Sequence, residues 1–522
     1  MEYTISFCIS KGATMKPQSS ALRRSLTRIV IALILLLICA GFILFRRMHP
    51  QVKEAMYDIT VIPPTCTDSG YSLYTNKENG TTYTDDLLPA TGHSFGSWEE
   101  DASDPLVLRK TRFCALCGAE ETEYEYARLT IPVIALEGSL EGIGKKSEVS
   151  VSMSFTGPDQ EFTSFATLKY QGHSSLSYEK KNYTLKLFRD GGRTQKNKLT
   201  FSHWNPEHKY ILKANYIDPS QSRNLIGANL WADVVASRDR IPAELKNLSN
   251  YGAVDGFPVA LWLNGDFQGL YTMTLHKDDD LFGMEDGYEH AILIANTATA
   301  DEAFFRNTAA FQEDSPWEVE YCGTGDSRWA EDKLNELIRF VLDSDDGTFR
   351  ENLHRYLDVD SAIDYLLSMY ALGLTHHGAD EMMLVCYSRN DPWIASLYDM
   401  ETAFGLSADG TACLEPEAFL PEETFGSWNS NTGSLLWDRL LQNFFPEIQA
   451  RYQVLRQRVF DPDAMCLRVT DYLCQIDPAL FEADHSIFPQ PNPQINHQEQ
   501  IVQYILRRIE LLDGILLPQT GV

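Results

Sequence analysis

Positive charge is scarce in this chain. Lys and Arg number 44 against 73 Asp and Glu, a formal net charge of −29 over 522 residues, and such a surface disfavours a nucleic-acid polyanion as partner. The ten cysteines are scattered without a regular framework, so the fold is not built on disulfides. No GxxxxGK[ST] loop or GxSxG elbow stands out, which disfavours a P-loop ATPase and a serine hydrolase. Apolar content is 44%, enough for a large core, and the length suggests two or three folding units.

Long apolar runs are absent apart from one. Residues 29–45, IVIALILLLICAGFILF, would be about 25 Å long as a helix, just enough to cross a bilayer. Lys11, Lys16, Arg23, Arg24 and Arg28 precede it, and Arg46, Arg47 and Lys53 follow. This bias predicts a cytoplasmic leader (1–28), one transmembrane helix (29–45) and an extracytoplasmic C-terminal bulk, attached to the cell membrane by a single pass. A cleaved leader is disfavoured because no clear small-x-small site follows the run.

What is present is most informative from Trp393 to Gly405, WIASLYDMETAFG. Ile394 to Tyr398 has the content of a buried strand, and Asp399 and Glu401 stand at its exit. Acids so placed suit a magnesium ion, which requires hard oxygen ligands; the competing reading is a solvated acidic turn. Further upstream, YQGHSSLSYEKKNYTLKLF (170–188) joins a Gly-Ser turn (Gly172, Ser174, Ser175) to an alternating strand with Lys180, Lys181 and Lys186. A small-residue turn lets backbone N–H groups approach phosphates, and a strand lysine neutralises them. In such a strand Lys180 and Lys181 face opposite ways, so at most one meets a nucleotide.

Together these stretches resemble the CotH family, the spore-coat-type kinases with a diverged protein-kinase-like fold. IDPSQSRNLIGANL (217–230), LWLNGDFQGLYTM (261–273) and LLWDRLLQNFFPEIQARYQVLR (435–456) carry the same resemblance, which covers roughly 130–515. It implies an α+β, bilobal, kinase-like fold, with a nucleotide-side lobe at about 130–277 and a mainly helical lobe at about 278–515. Thr272 to Lys277 would join the lobes near the adenine. It further implies ATP and magnesium as cofactors and transfer of the γ-phosphate to Ser or Thr hydroxyls of a surface protein. Lys181 is the expected phosphate lysine, Arg223 and Asn224 a nucleotide-side or lobe-bridging pair, and Asp399 the metal ligand beside Glu401.

One stretch departs from the family pattern. Where active relatives resemble D-N-x-x-K-N, this chain reads HHGADE; gapless spacing puts His376 at the acid and Glu381 at the metal-binding Asn. Histidine can act as a general base and Glu can bind magnesium, and Asp380 is a second candidate base. The rival reading is a catalytically silent scaffold on the cell envelope.

Residues 60–127 resemble small zinc-ribbon-like repeats of bacterial surface proteins and predict a β-rich module. Cys114-x-x-Cys117 is half of a tetrahedral site, which His93 or Cys66 could complete; a second CxxC near 74–80 is missing. The last helical stretch, from His497, carries Arg507 and Arg508, expected on a solvated face.

Overall fold

The computed structural model describes residues 34, 36–41, 56–127, 129–172, 174–201, 203–248, 250–297, 299–311 and 315–518. Most of the apolar run 29–45 lies outside them; Ile34 and residues 36–41 are helical. Among the described residues no helix is long and apolar enough to cross a membrane. The chain divides into two compact units, residues 1–125 and 126–522.

The first unit holds two antiparallel three-stranded sheets, β1 (Tyr57–Ile62), β2 (Gly70–Asn76), β3 (Thr82–Leu88) and β4 (Glu99–Asp104), β5 (Val107–Phe113), β6 (Glu120–Tyr126). Residues 92–96, GHSFG, do spell GxSxG, but they form a loop with an isolated bridge from Phe95 to Cys114. A nucleophile elbow needs a strand-to-helix turn, and this loop is not one.

The second unit opens with a closed seven-stranded barrel in the order β10-β11-β13-β12-β7-β8-β9. Its strands are β7 (Val133–Gly138), β8 (Val149–Thr156), β9 (Glu161–Gln171), β10 (Asn182–Phe188), β11 (Lys209–Lys213), β12 (Gly256–Leu263) and β13 (Asp266–Leu275). Neighbours pair antiparallel except β12 with β7, where Ala260 meets Val133. Closure leaves no free edge. The period-2 alternation puts Leu185, Leu187, Tyr210, Leu212, Val259 and Met273 in the core and. The β12–β13 hairpin turns at Asn264 and Gly265, both at positive φ (50° and 82°), as the Asn-Gly pair predicts and.

Helix α1 (Arg223–Ala236) sits between β11 and β12 in the chain. Then follows a four-stranded antiparallel sheet, ordered β15-β14-β16-β17, of β14 (Ala291–Asn296), β15 (Trp317–Cys322), β16 (Asp380–Cys386) and β17 (Ile394–Leu397). Helices α2 (Arg328–Asp343), α3 (Val359–Leu372), α4 (Leu435–Arg456), α5 (Pro462–Leu473), α6 (Pro478–Ile487) and α7 (His497–Leu516) complete the unit. This is the mixed α+β architecture expected. The segment from 278 onward carries this extra sheet as well as the helices.

Central α3 is buried on nearly every side, including Asp364 at 0% exposure. That carboxylate is matched by Arg238 (2.5 Å) and Arg451 (2.6 Å), which is how a buried charge is tolerated and. Helix α4 is broken at Phe444 (φ −123°) just before Pro446, whose ring and missing N–H forbid a regular turn there and. Arg508 corrects the solvated-face expectation. It is 1% exposed, with Nε donating to the Tyr370 carbonyl at 2.7 Å and Nη1 to those of Pro416 and Ala418. Its spacing from Ile501, Tyr504, Ile505 and Leu512 puts it on the buried stripe and, while Arg507 stays outside with Glu417 and Glu510.

Candidate functional site

A narrow cleft lies between the end of the barrel, α1 and the exit of β17. Lys213, Asn224, His276, Lys277, Tyr398 and Asp399 are among its walls. Lys213 is the last residue of β11, held in register opposite Thr272 of β13. Its Nζ donates to both Asp399 carboxylate oxygens, at 2.7 and 2.6 Å, and the two side chains are only 8% and 15% exposed. Asp399 follows β17 with φ at 49°, a strained conformation for a residue with a Cβ and one that concentrates at functional sites and.

The turn between β11 and α1 explains the IDPSQSRN stretch. Asp218 Oδ2 accepts the backbone N–H groups of Ser222 and Arg223 (3.0 and 2.9 Å), capping the helix start and. Asn224, one residue on, accepts the Met400 N–H at 3.0 Å. Gly227 lets α1 come close: a Cβ there would lie 3.0 Å from that of Met400. The DMETAFG segment is thereby clamped against the helix.

Three more carboxylates share this electrostatic neighbourhood. Glu381 (φ 61°) is partly buried, and its Oε2, shielded from solvent, has no hydrogen-bond partner. Burial, then the Asp399 charge, pushes its carboxyl well above the ordinary range, against the pull of Lys213. Glu401 is pushed up to about 7 by burial and by Asp399. Asp380, at the head of β16, is raised by burial, with His376 opposing. Burial alone would lower Lys213; Asp399 and Glu401 reverse this and hold it above its usual value. Such opposed shifts in one cleft are typical of functional sites.

The other predicted residues are placed differently. Lys180 and Lys181 precede β10, so the strand-face argument does not apply to them. Lys180 is buried against Asp484 of α6 at 2.7 Å and the Leu270 carbonyl at 2.5 Å. Lys181 donates to the Leu176 (2.8 Å) and Tyr178 carbonyls, closing the turn around Ser174–Ser177. Lys186 pairs with Glu148 at 2.5 Å. None of these ammonium groups donates to Asp399; Lys213 does. Its signal was legible as the lysine ending the HKYILK strand, but nothing local distinguishes it from the KKNY lysines.

Gly172 has φ 105° and lies near Ser175, whose Oγ is 3.2 Å from Asn182 Nδ2. Asn182 Oδ1 accepts the Ala214 N–H at 2.7 Å, tying the Gly-Ser turn to the residue after Lys213. Arg223 is wholly buried. It bonds to Asp218, the Ala403 carbonyl (2.6 Å) and Gln500 Oε1 (2.6 Å), joining α1, the DMETAFG loop and α7. His377 is buried, with Nε2 2.8 Å from the Tyr398 carbonyl, and burial pushes it down to about 4, whereas His376 is only partly buried.

In the first unit, Cys66, His93, Cys114 and Cys117 present ligand atoms all within 4.8 Å of one another. The Cys66 and Cys114 sulfurs are 3.8 Å apart, and Cys117 Sγ is 3.3 Å from His93 Nδ1. Both candidates thus complete the half-site, from two separate loops, where a second CxxC is missing. Burial works against a Cys114 thiolate, but backbone N–H groups of Leu116 and Cys117 bring the thiol down to about 5. Burial, then Cys117 and Cys114, pushes Cys66 up to about 11.

The second unit thus defines a mixed α+β protein whose cleft sets a lysine against an acid at a strand exit. Residues 168–512 match the model of the family described as CotH kinase protein, and the chain belongs to that family. No curated protein matches the chain.

Proposed function

We propose that this chain is a membrane-anchored, extracytoplasmic protein kinase that transfers the γ-phosphate of ATP to Ser or Thr hydroxyls of surface proteins. Family membership points to a kinase-like function, with a nucleotide and a protein as its partners. The observation that carries the reading is the largely buried Lys213–Asp399 pair, with three further carboxylates in its electrostatic neighbourhood, lining a cleft between the barrel end and the exit of β17.

Asp399, with Glu381 or Glu401 beside it, would hold magnesium: all are hard oxygen donors and the Glu381 Oε2 lacks a partner, although the three do not converge within 4.8 Å as the other acidic clusters do and. A bound magnesium would supply charge neutralisation and alignment for the phosphates. Lys213 holds the Asp399 carboxylate in place and offers its own charge to phosphate oxygens, in a site dry enough for that charge to count. Gly172, just after β9, and the Ser174–Ser177 turn supply small residues that suit backbone contacts to phosphate and. Asp380, its carboxyl raised by burial, accepts the proton of the attacking hydroxyl and.

Incubating the purified protein with γ-labelled ATP, magnesium and surface-protein extract tests this. Label transfer that disappears in Asp399→Ala supports the kinase; nucleotide binding without any transfer would mark a silent scaffold instead. The apolar run 29–45 and its flanking charges support the anchoring, which protease accessibility of the C-terminal bulk in intact cells checks.

For the first unit we propose a structural zinc ion held by Cys66, His93, Cys114 and Cys117. Sulfur and nitrogen atoms 3.3 to 3.8 Å apart suit the edges of a tetrahedron with Zn–S of about 2.3 Å and Zn–N of about 2.0 Å and.

A further inference from the structure

We propose that Glu207, His208 and Asp280 form a second divalent-cation site, distinct from the cleft carboxylates and from the cysteine cluster. Glu207 and His208 immediately precede β11, and Asp280 opens the short turn Asp280–Phe282 after β13. One ligand atom from each lies within 4.8 Å of the others. Glu207 and Asp280 border a small hollow that Lys209, His276 and Asp278 also line.

Two orphaned atoms point to a ligand. Glu207 and His208 are 8% and 7% exposed, and neither Glu207 Oε2 nor His208 Nδ1 has a hydrogen-bond partner. A buried, unsatisfied carboxylate oxygen is costly unless a cation meets it. The cations present do not answer this need. Lys198 reaches only Asp280, at 3.9 Å from a half-exposed position, and Lys209 is engaged by Asp278 at 2.8 Å. Asp278 also meets His276 at 3.0 Å, so it is taken, while Asp279 stands beside Asp280 as a further oxygen donor.

One imidazole with two carboxylates suits a first-row ion such as manganese or zinc. The location gives such an ion a consequence. It would join the start of β11, which ends in Lys213, to the segment just after His276 and Lys277, so it braces two walls of the cleft.

The test uses the full chain, stripped with EDTA and titrated with Mn²⁺ alone, without nucleotide. Manganese discriminates against the thiolate cluster, and Asp399→Asn weakens the contribution of the cleft, where Glu381 and Glu401 remain. Asp399→Asn protein is expected to bind Mn²⁺ and to gain thermal stability from it. Adding Glu207→Gln, or separately His208→Asn, should weaken that binding at least tenfold and abolish the gain. Glu207→Gln without metal should melt no lower than its parent, because a carboxylate repulsion is relieved. Unchanged Mn²⁺ affinity and stabilisation in both variants, or Mn²⁺ binding lost wholly with Asp399→Asn, would overturn the proposal.

Discussion

Lys213 spends two hydrogen bonds on Asp399, so the first prediction separates it from the lysines upstream. Lys213→Met should lower phosphoryl transfer by about 100-fold or more, the scale of removing one preorganised charge from a reacting centre. Lys181→Met, which loosens only a turn, should stay within a few-fold; equal losses would refute the assignment of Lys213. For the base, Asp380→Asn should depress kcat far more than His376→Ala, in a single-turnover assay at fixed nucleotide. Glu401 carries a pH prediction. Its folded value of about 7 lies above the ordinary 4.5, so its favourable contribution is complete below 4.5 and is lost as pH rises through about 7 and. Unfolding free energy should therefore fall from pH 5 to pH 8 in the wild type. Glu401→Gln should flatten that fall by on the order of 1 kcal/mol, read by urea denaturation at both values.

Helix α1 is the element whose placement the site depends on, and Arg223 anchors it to two distant pieces of chain. Arg223→Met leaves Asp218 buried with its charge less compensated, and should destabilise the larger unit by about 3–5 kcal/mol, measured by thermal unfolding. Gly405 (φ 79°) is the other pivot. A Cβ there would lie 2.4 Å from the Tyr504 ring of α7, so Gly405→Ala should cost stability and displace the metal-side loop. Most strands and helices were legible from periodicity: the Asn264–Gly265 hairpin, the apolar spacing of α1 and α3, and the strand before Asp399. Two local readings failed for physical reasons. The KKNY lysines lie in a turn that only long-range partners define, and Arg508 repeats at helical spacing with Ile505 and Leu512, where a charge is admitted because three carbonyls converge on it.

At the scale of the whole molecule, each unit carries its own cluster of convergent groups. The smaller one brings four side chains able to ligate a metal from three loops into one place, and among its described residues few apolar side chains are buried. Elemental analysis should find zinc at one per chain in that cluster, absent from Cys114→Ser. Chelation should unfold that unit while leaving the larger one's transition in place, visible as the loss of one of two thermal steps.

Much of this was determined by the sequence alone: the family, the α+β class, the acid at the exit of the WIASLY strand, and the Cys-x-x-Cys half-site. These are local patterns, written within a few residues. Only the tertiary structure decided which lysine meets that acid, that Glu381 turns a shielded, unpaired oxygen inward, and that Arg223 joins three elements instead of lining the cleft. Barrel closure and the burial of α3 bring together residues some two hundred positions apart, and no spacing along the chain encodes that meeting.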